Sequence, residues 1–364
     1  MNVYEAAIDR INYLFDRFDN INVSFSGGKD SGALLNLVLD VANVRNRRLF
    51  VVYADFEAMY KETIAFVEIM LQNPLIEPFW VCLPFTFQTG VSKEQTTWKC
   101  WDNDGGLLFR REPKNAITLA NHPFDFYKPA MYDDVFLTGF SKWISREYGG
   151  TTASLIGIRT DESLNRWRAM NRAKATFDGK NWTTRVDKGV YNAYPIFDWH
   201  VSDVWAYNFK FEKYYNRAYD AMYMLGTPPY KQRICEPYGP QQKAGLWQWR
   251  YIEPETWNVI CVRVSGAREY LESGGVFETR GENESYVAYF CRLIDGTPEL
   301  YARPFLEKIE RLIDSGILKL ADRNALYCVA TGALKANDLS RLTAGRVQRM
   351  FENVKEVKGK WSEI

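Results

Sequence analysis

The chain has 364 residues, 46% hydrophobic and 25% charged, which is the make-up of a globular protein and excludes a disordered or fibrous one. Lys and Arg number 46 against 45 Asp and Glu, so the formal charge is +1 and there is no global basic field for non-specific nucleic-acid binding. No apolar run is long enough to span a membrane, and the N-terminus, with Glu5, Asp9 and Arg10, lacks the layout of a signal peptide; a soluble, cytoplasmic protein is expected.

Apolar side chains at Ala6, Ala7, Ile8, Ile11, Leu14, Phe15 and Phe18 form a helical stripe over Val3 to Phe18. Ile21 to Phe25 then alternates as a short strand does, and Ala33 to Val41 is helix-forming and apolar nearly all round. Between these two lies Ser26-Gly27-Gly28-Lys29-Asp30-Ser31-Gly32. Gly27 and Gly28 allow strained dihedrals and the close approach of a ligand to N–H groups at the positive end of the following helix, an anion cradle. Lys29 adds a point charge for a phosphate, Ser26 and Ser31 add hydroxyl donors, and Asp30 offers a carboxylate for a divalent cation or a water. A Walker loop would need Gly at position 23 and Ser or Thr at position 30, where this chain has Val23 and Asp30.

Leu49 to Ala54 reads as a second, buried strand, and strand–helix–strand with a long crossover signals parallel pairing. Asp55 then falls at the carboxyl edge, where open α/β sheets bind their ligands. From Val81 to Pro129 repeated Pro and Gly break any long element, which predicts an insertion over that edge; Cys100 within it reads as a packed thiol. Ser154 to Ile158 is a further strand running into Gly157-Ile158-Arg159, with Glu162 and Arg166 on the segment beyond. An arginine at a strand end can grip a phosphate or sulfate with two N–H groups. Helices are expected from Ser202 or Asp203, running on through an aromatic stretch to Leu225, and His122 and His200 are assigned structural roles. Six cysteines without a C-x-x-C pair argue against a zinc ribbon. From Thr256 onward helical spacing recurs at Val259–Leu271, Ser285–Leu293, Pro304–Ser315 and Leu339–Val357, which places a domain break near residue 255; Val259–Val264 is β-branched enough to be a strand instead. The expected fold class is α/β, a parallel twisted sheet flanked by helices with a C-terminal helical region.

The Ser26–Ser31 turn resembles the S-G-G-K-D-S signature of the PP-loop ATP pyrophosphatase superfamily. Three further stretches are similar to its phosphoadenosine phosphosulfate (PAPS) reductase-like family: Tyr53 to Thr63, Gly157 to Ser163, and Tyr194 to Trp205. The first departs from the family in having Phe56-Glu57 after the aspartate where Thr-Gly is usual. The loop Arg233-Ile234-Cys235-Glu236-Pro237-Tyr238-Gly239, with Ile252 to Trp257, looks like the immunoglobulin-binding-regulator branch. The resemblance implies an adenine nucleotide alpha hydrolase-like domain over residues 1–255, and the helical spacing beyond it makes 256–364 a helical domain or cap. It also implies ATP and Mg²⁺ as ligands, with Ser26, Gly27, Gly28, Lys29, Asp30, Ser31, Asp55, Gly157, Arg159, Glu162 and Arg166 around the nucleotide. Lys29, Asp30 and Arg159 would be catalytic, and Asp30 would also hold the metal. The implied reaction cleaves ATP between the α- and β-phosphates and adenylates an acceptor of unknown identity. One alternative is binding of a sulfonucleotide, PAPS or APS, for transfer or reduction, although Lys358 to Ile364 lacks the family's E-C-G-I-H-type motif. Another is a nucleotide-sensing module acting with a ParB-like DNA-binding partner; the 12 Trp and 22 Tyr fit large contact surfaces, a homo-oligomer included.

Overall fold

The computed structural model describes residues 2–92, 94–102, 108–162, 175–272, 285–295, 299–315, 323–335 and 342–347. Helix α1 (Val3–Arg17) begins at Asn2, whose side chain accepts the Glu5 N–H at 2.9 Å while Glu5 accepts the Asn2 N–H at 3.0 Å. Two of the donors that a helix start leaves unpaired are thereby satisfied. The stripe read from the sequence faces inward: Ala6, Ala7, Ile11, Leu14 and Phe15 are buried.

Strand β1 (Asn20–Ser24), helix α2 (Lys29–Val44), β2 (Leu49–Ala54), α3 (Lys61–Leu71) and β3 (Ile76–Val81) follow, the three strands pairing in parallel as neighbours. The short strands β4 (Thr86–Gln88) and β5 (Thr97–Lys99) pair with each other, and α4 (Asp133–Glu147) leads into β6 (Thr152–Ile156). β7 (Thr183–Asp187) and β8 (Val190–Ala193) complete a six-stranded sheet of order β3-β2-β1-β6-β8-β7. All neighbours are parallel except β7, an antiparallel edge strand joined to β8 through Gly189 at φ 74°. The expected parallel sheet flanked by helices is the observed fold. β1 occupies the middle, between β2 and β6, and its chain order reverses there; such a switch point opens a crevice at the carboxyl ends of the strands.

Helix α2 is apolar nearly all round because it is enclosed: Leu34, Leu35, Leu37 and Val38 have no exposed surface and pack in one core with Val23, Val51 and Leu155. Each such side chain contributes about 1.5–3 kcal/mol through burial. The sequence placed one aromatic helix from Val204 to Leu225; the structure has two, α5 (Val201–Lys210) and α6 (Ala218–Met224). Glu212 at φ 48° breaks the run, and the Asn216 side chain accepts the Ala218 N–H at 2.9 Å to start the second helix. α5 begins at His200, earlier than expected, with the Asp203 carboxylate accepting the His200 N–H at 2.7 Å.

The chain divides into two units, the first made of Met1–Thr86, Lys99–Glu236 and Gln248–Thr256, the second of Phe87–Trp98, Pro237–Trp247 and Trp257–Ile364. Two stretches of the second unit therefore precede residue 256 in sequence. Inside that unit the Gly90 N–H donates to Tyr238 O at 2.7 Å, and a Cβ on Gly90 would lie 2.7 Å from Pro240 Cα, so only glycine fits. Val259 to Val264, β-branched enough to be a strand, belongs mostly to the helix Pro254–Arg263, with proline at its first position. The helices Tyr286–Asp295, Glu299–Asp314 and Arg323–Lys335 share a small core around Phe290, Phe305, Ile309, Leu326 and Ala330. The helix expected at Leu339 to Val357 lies largely outside the described residues. No helix among the described residues is long and apolar enough to cross a membrane.

Candidate functional site

The turn between β1 and α2 is held from below and from both sides. Gly27 takes φ 70°, and a Cβ there would meet the Thr63 methyl at 2.8 Å, so both the dihedral and the space call for glycine. Gly28 is the residue before α2 and has no side chain to cap that helix. Ser31 Oγ accepts the Ser26 N–H at 3.2 Å, and the Ser26 and Ser31 hydroxyls lie 2.9 Å apart, drawing the turn into a closed loop.

β6 ends directly against the start of α2. A Cβ on Gly157 would lie 2.9 Å from Ser31 N and 3.0 Å from Ser31 Cα, so this glycine lets the strand end touch helix backbone. That contact delivers Arg159. Its Nε donates to Asp30 Oδ1 at 2.7 Å, Nη1 lies 3.3 Å from Asp161 Oδ2, and Nη2 lies 3.7 Å from Glu162 Oε1. The side chain is buried, and Trp199 O lies 3.5 Å from Nη1. The structure thus gathers Ser26, Gly27, Gly28, Lys29, Asp30, Ser31, Gly157, Arg159 and Glu162 at the mouth of the switch point. Arg166 lies outside the described residues.

Lys29 is the electrostatic oddity of the site. Only 7% of it is exposed; its Nζ lies 3.4 Å from Asp30 Oδ2, donates to Gln232 O at 3.2 Å and sits 5.4 Å above the Tyr219 ring. Burial pushes its pKa below the ordinary lysine value, and Asp30 offsets that only in part. A buried ammonium so placed gains from an arriving anion. Asp30 serves both cations at once, one carboxylate oxygen toward Arg159 and the other toward Lys29. It is a shared counter-ion, which does not suit the role of metal ligand read from the sequence: a divalent cation at either oxygen would face an arginine or a lysine. Among the described residues no group of three or more His, Cys, Asp or Glu could hold a metal ion.

Asp55 stands at the end of β2 as expected, but its carboxylate is fully engaged. Oδ1 accepts the Glu57 N–H at 2.9 Å, and Oδ2 accepts Trp80 Nε1 at 2.7 Å and an Arg110 Nη2–H. Glu57, at φ 64°, accepts the N–H groups of Trp101 at 2.6 Å and Phe109 at 2.8 Å, and the Trp101 indole donates to Asp55 O at 2.7 Å. The irregular insertion therefore folds back on this strand end and seals it. Cys100 has no exposed surface, accepts the Phe85 N–H at 3.4 Å, and has its pKa pushed far up by burial, which makes it a packing thiol.

Three residues that the sequence reading did not single out touch the turn from 189, 190 and 203 residues away. Asn216 Nδ2 donates to Gly27 O at 2.8 Å and lies 2.8 Å from Thr63 Oγ1; Tyr219 Oη accepts the Lys29 N–H at 3.0 Å; Gln232 supplies the carbonyl on Lys29. Nothing in local spacing marks them. An asparagine and a tyrosine around a helix start are ordinary until the fold sets them on a two-glycine turn.

Residues 108–228 match the phosphoadenosine phosphosulfate reductase domain, a stretch that holds Arg159, Asn216 and Tyr219 and begins after the Gly27–Ser31 turn. In sequence, the chain is 36% identical over 328 residues to the uncharacterized protein YbdN of Escherichia coli (strain K12), covering 85% of this chain and 79% of that one. Among solved structures, the phosphoadenylyl-sulfate reductase of Candida auris in its phosphate complex is 13% identical with a TM-score of 0.34, covering 64% of this chain and 88% of that one. FMN adenylyltransferase of Candida glabrata in complex with ATP is 15% identical at TM-score 0.34, covering 60% and 57%. The U34-tRNA thiolase NcsA of Methanococcus maripaludis with its 4Fe-4S cluster is 11% identical at TM-score 0.33, covering 77% and 81%.

Proposed function

Because this chain belongs to the family of the Escherichia coli protein YbdN and carries a match to the PAPS reductase domain, we propose that it is a nucleotide-dependent enzyme working at the Gly27–Ser31 turn. The ligand is ATP. An acceptor oxygen or nitrogen attacks the α-phosphorus, the bond from that phosphorus to the bridging α,β-oxygen breaks, and pyrophosphate leaves with the electron pair. The product is an adenylated acceptor. Such a reaction is served chiefly by positioning and by stabilising charge on the phosphoryl oxygens. The positive end of α2 favours the anion, Lys29 supplies a buried positive charge, and Asp30 with Arg159 fixes the lysine's place.

The observation that carries this reading is Lys29: a lysine buried beside a two-glycine turn at a helix start, with its charge only partly balanced. Incubating the purified protein with Mg²⁺ and α-labelled ATP and separating the products tests it. AMP or an AMP adduct together with pyrophosphate is expected, lost on Lys29→Ala. A second reading keeps the site and replaces ATP with a sulfated adenosine nucleotide, favoured by the domain matched over residues 108–228. No turnover of ATP, with tight binding of PAPS or APS in a competition assay, would overturn the first reading in favour of the second.

A further inference from the structure

Tyr219 has no part in the reaction just drawn, yet it stands at the turn with a donor unused. Its hydroxyl oxygen accepts the Lys29 N–H at 3.0 Å, and the residue is 3% exposed. A phenol hydroxyl also has one proton to give, and among the described residues no acceptor receives it. The space beside it is shaped as well. A Cβ built on Gly28 would lie 3.3 Å from Ser26 Oγ, 3.4 Å from Tyr219 Oη and 4.0 Å from Ser31 Oγ, so three hydroxyls ring the volume that the missing side chain leaves open. This volume sits at the positive end of α2, next to buried Lys29.

The geometry points to Tyr219 as a hydroxyl donor to a phosphoryl oxygen of the nucleotide, seated in the three-hydroxyl cradle over Gly28; this rests on the turn being the nucleotide phosphate site. Two fixed contacts aim the phenol. Asn216, three residues earlier, holds Gly27 O and Thr63 Oγ1, and Gln232 Nε2 donates to Tyr219 O at 3.2 Å. Burial, with Asp30 nearby, raises the phenol's pKa, so the hydroxyl keeps its proton at any pH where the enzyme works. The Lys29 N–H occupies a lone pair and leaves the O–H to turn toward the cradle.

Two variants test this by calorimetric titration with pyrophosphate, ATP and adenosine. Tyr219→Phe keeps the ring and removes the donor; affinity for pyrophosphate and ATP is expected to fall about 10- to 100-fold, as loss of a hydrogen bond to a charged group does, with adenosine binding unchanged. Gly28→Ala leaves Tyr219 in place and fills the cradle. Its φ of −81° suits alanine and its nearest neighbours are hydroxyls, so this variant is expected to fold and to lose pyrophosphate binding to a similar degree. Undiminished pyrophosphate binding by Tyr219→Phe, or an equal loss of adenosine binding, overturns the assignment. Should Tyr219→Phe fail to fold, undiminished pyrophosphate binding by Gly28→Ala overturns it instead. A wild-type protein that binds neither ATP nor pyrophosphate removes the nucleotide reading itself, a result distinct from either variant's.

Discussion

The ends of β1 and β2 are neighbours in the sheet, and the segment after each carries an aspartate paired with an arginine from far along the chain: Asp30 with Arg159, Asp55 with Arg110. They are built to opposite purposes. At Asp55 the carboxylate takes a backbone N–H, an indole N–H and a guanidinium, and the neighbouring Glu57 closes the insertion over it. At Asp30 the carboxylate only balances two cations, while around it stand a helix start, a lysine with its pKa lowered by burial and a phenol proton that has no acceptor among the described residues. Satisfied polar groups mark scaffold; buried groups with capacity left over mark a place for a ligand.

The largest expected effect lies on the scaffold side. Asp55→Ala leaves the Arg110 charge without its partner and is expected to cost about 3–5 kcal/mol of stability, read from the midpoint of urea unfolding. A loss under about 1 kcal/mol would show that the sealed strand end is not what holds this edge. Next is Gly157→Ala. The atoms it meets are α2 backbone and cannot turn aside, so a cost of about 1–3 kcal/mol is expected together with weakened nucleotide binding, since the turn itself must shift.

Lys29→Met should separate function from stability. Nucleotide binding is expected to disappear while thermal stability holds or rises, because the variant removes an under-compensated buried charge. The pH dependence has a definite sign. The folded pKa of Lys29 is lowered from 10.5, so the charged lysine costs stability in full below the folded value, and that cost fades as pH rises toward the unfolded value. Wild type should therefore gain on Lys29→Met as the pH is raised toward 10.5, by chemical denaturation at each pH. A wild type that loses ground over that range would mean the lysine is stabilised by its surroundings. The smallest effect is expected at Cys100→Ala. The thiol's bonds to Phe85 N and Leu83 O are weak, so about 1–2 kcal/mol of stability and no change in ATP turnover should follow.

Much of the fold could be read before the structure. The α1 stripe, the β1–turn–α2 segment, β2 to its last residue and the parallel pairing all arise from neighbours in sequence, where periodicity and turn chemistry act directly. The break between α5 and α6 could not, since Glu212 and Asn216 interrupt a stretch whose aromatic spacing is continuous. Asp55 showed the same limit from the other direction: its place at a strand end was legible, and its occupation by Arg110 was not.

By itself the sequence determined the glycine turn with its lysine and serines, because two glycines between a strand and an apolar helix permit the tight, positive-φ turn that other residues exclude. Tertiary structure alone decided what those residues face. Gly157 backing onto Ser31, Arg159 tied to Asp30, and Asn216 and Tyr219 arriving from 189 and 190 residues away are contacts between segments that share no local pattern. They exist because the sheet order brings β6 beside β1 and because burial leaves each polar group only the partners that the packing supplies.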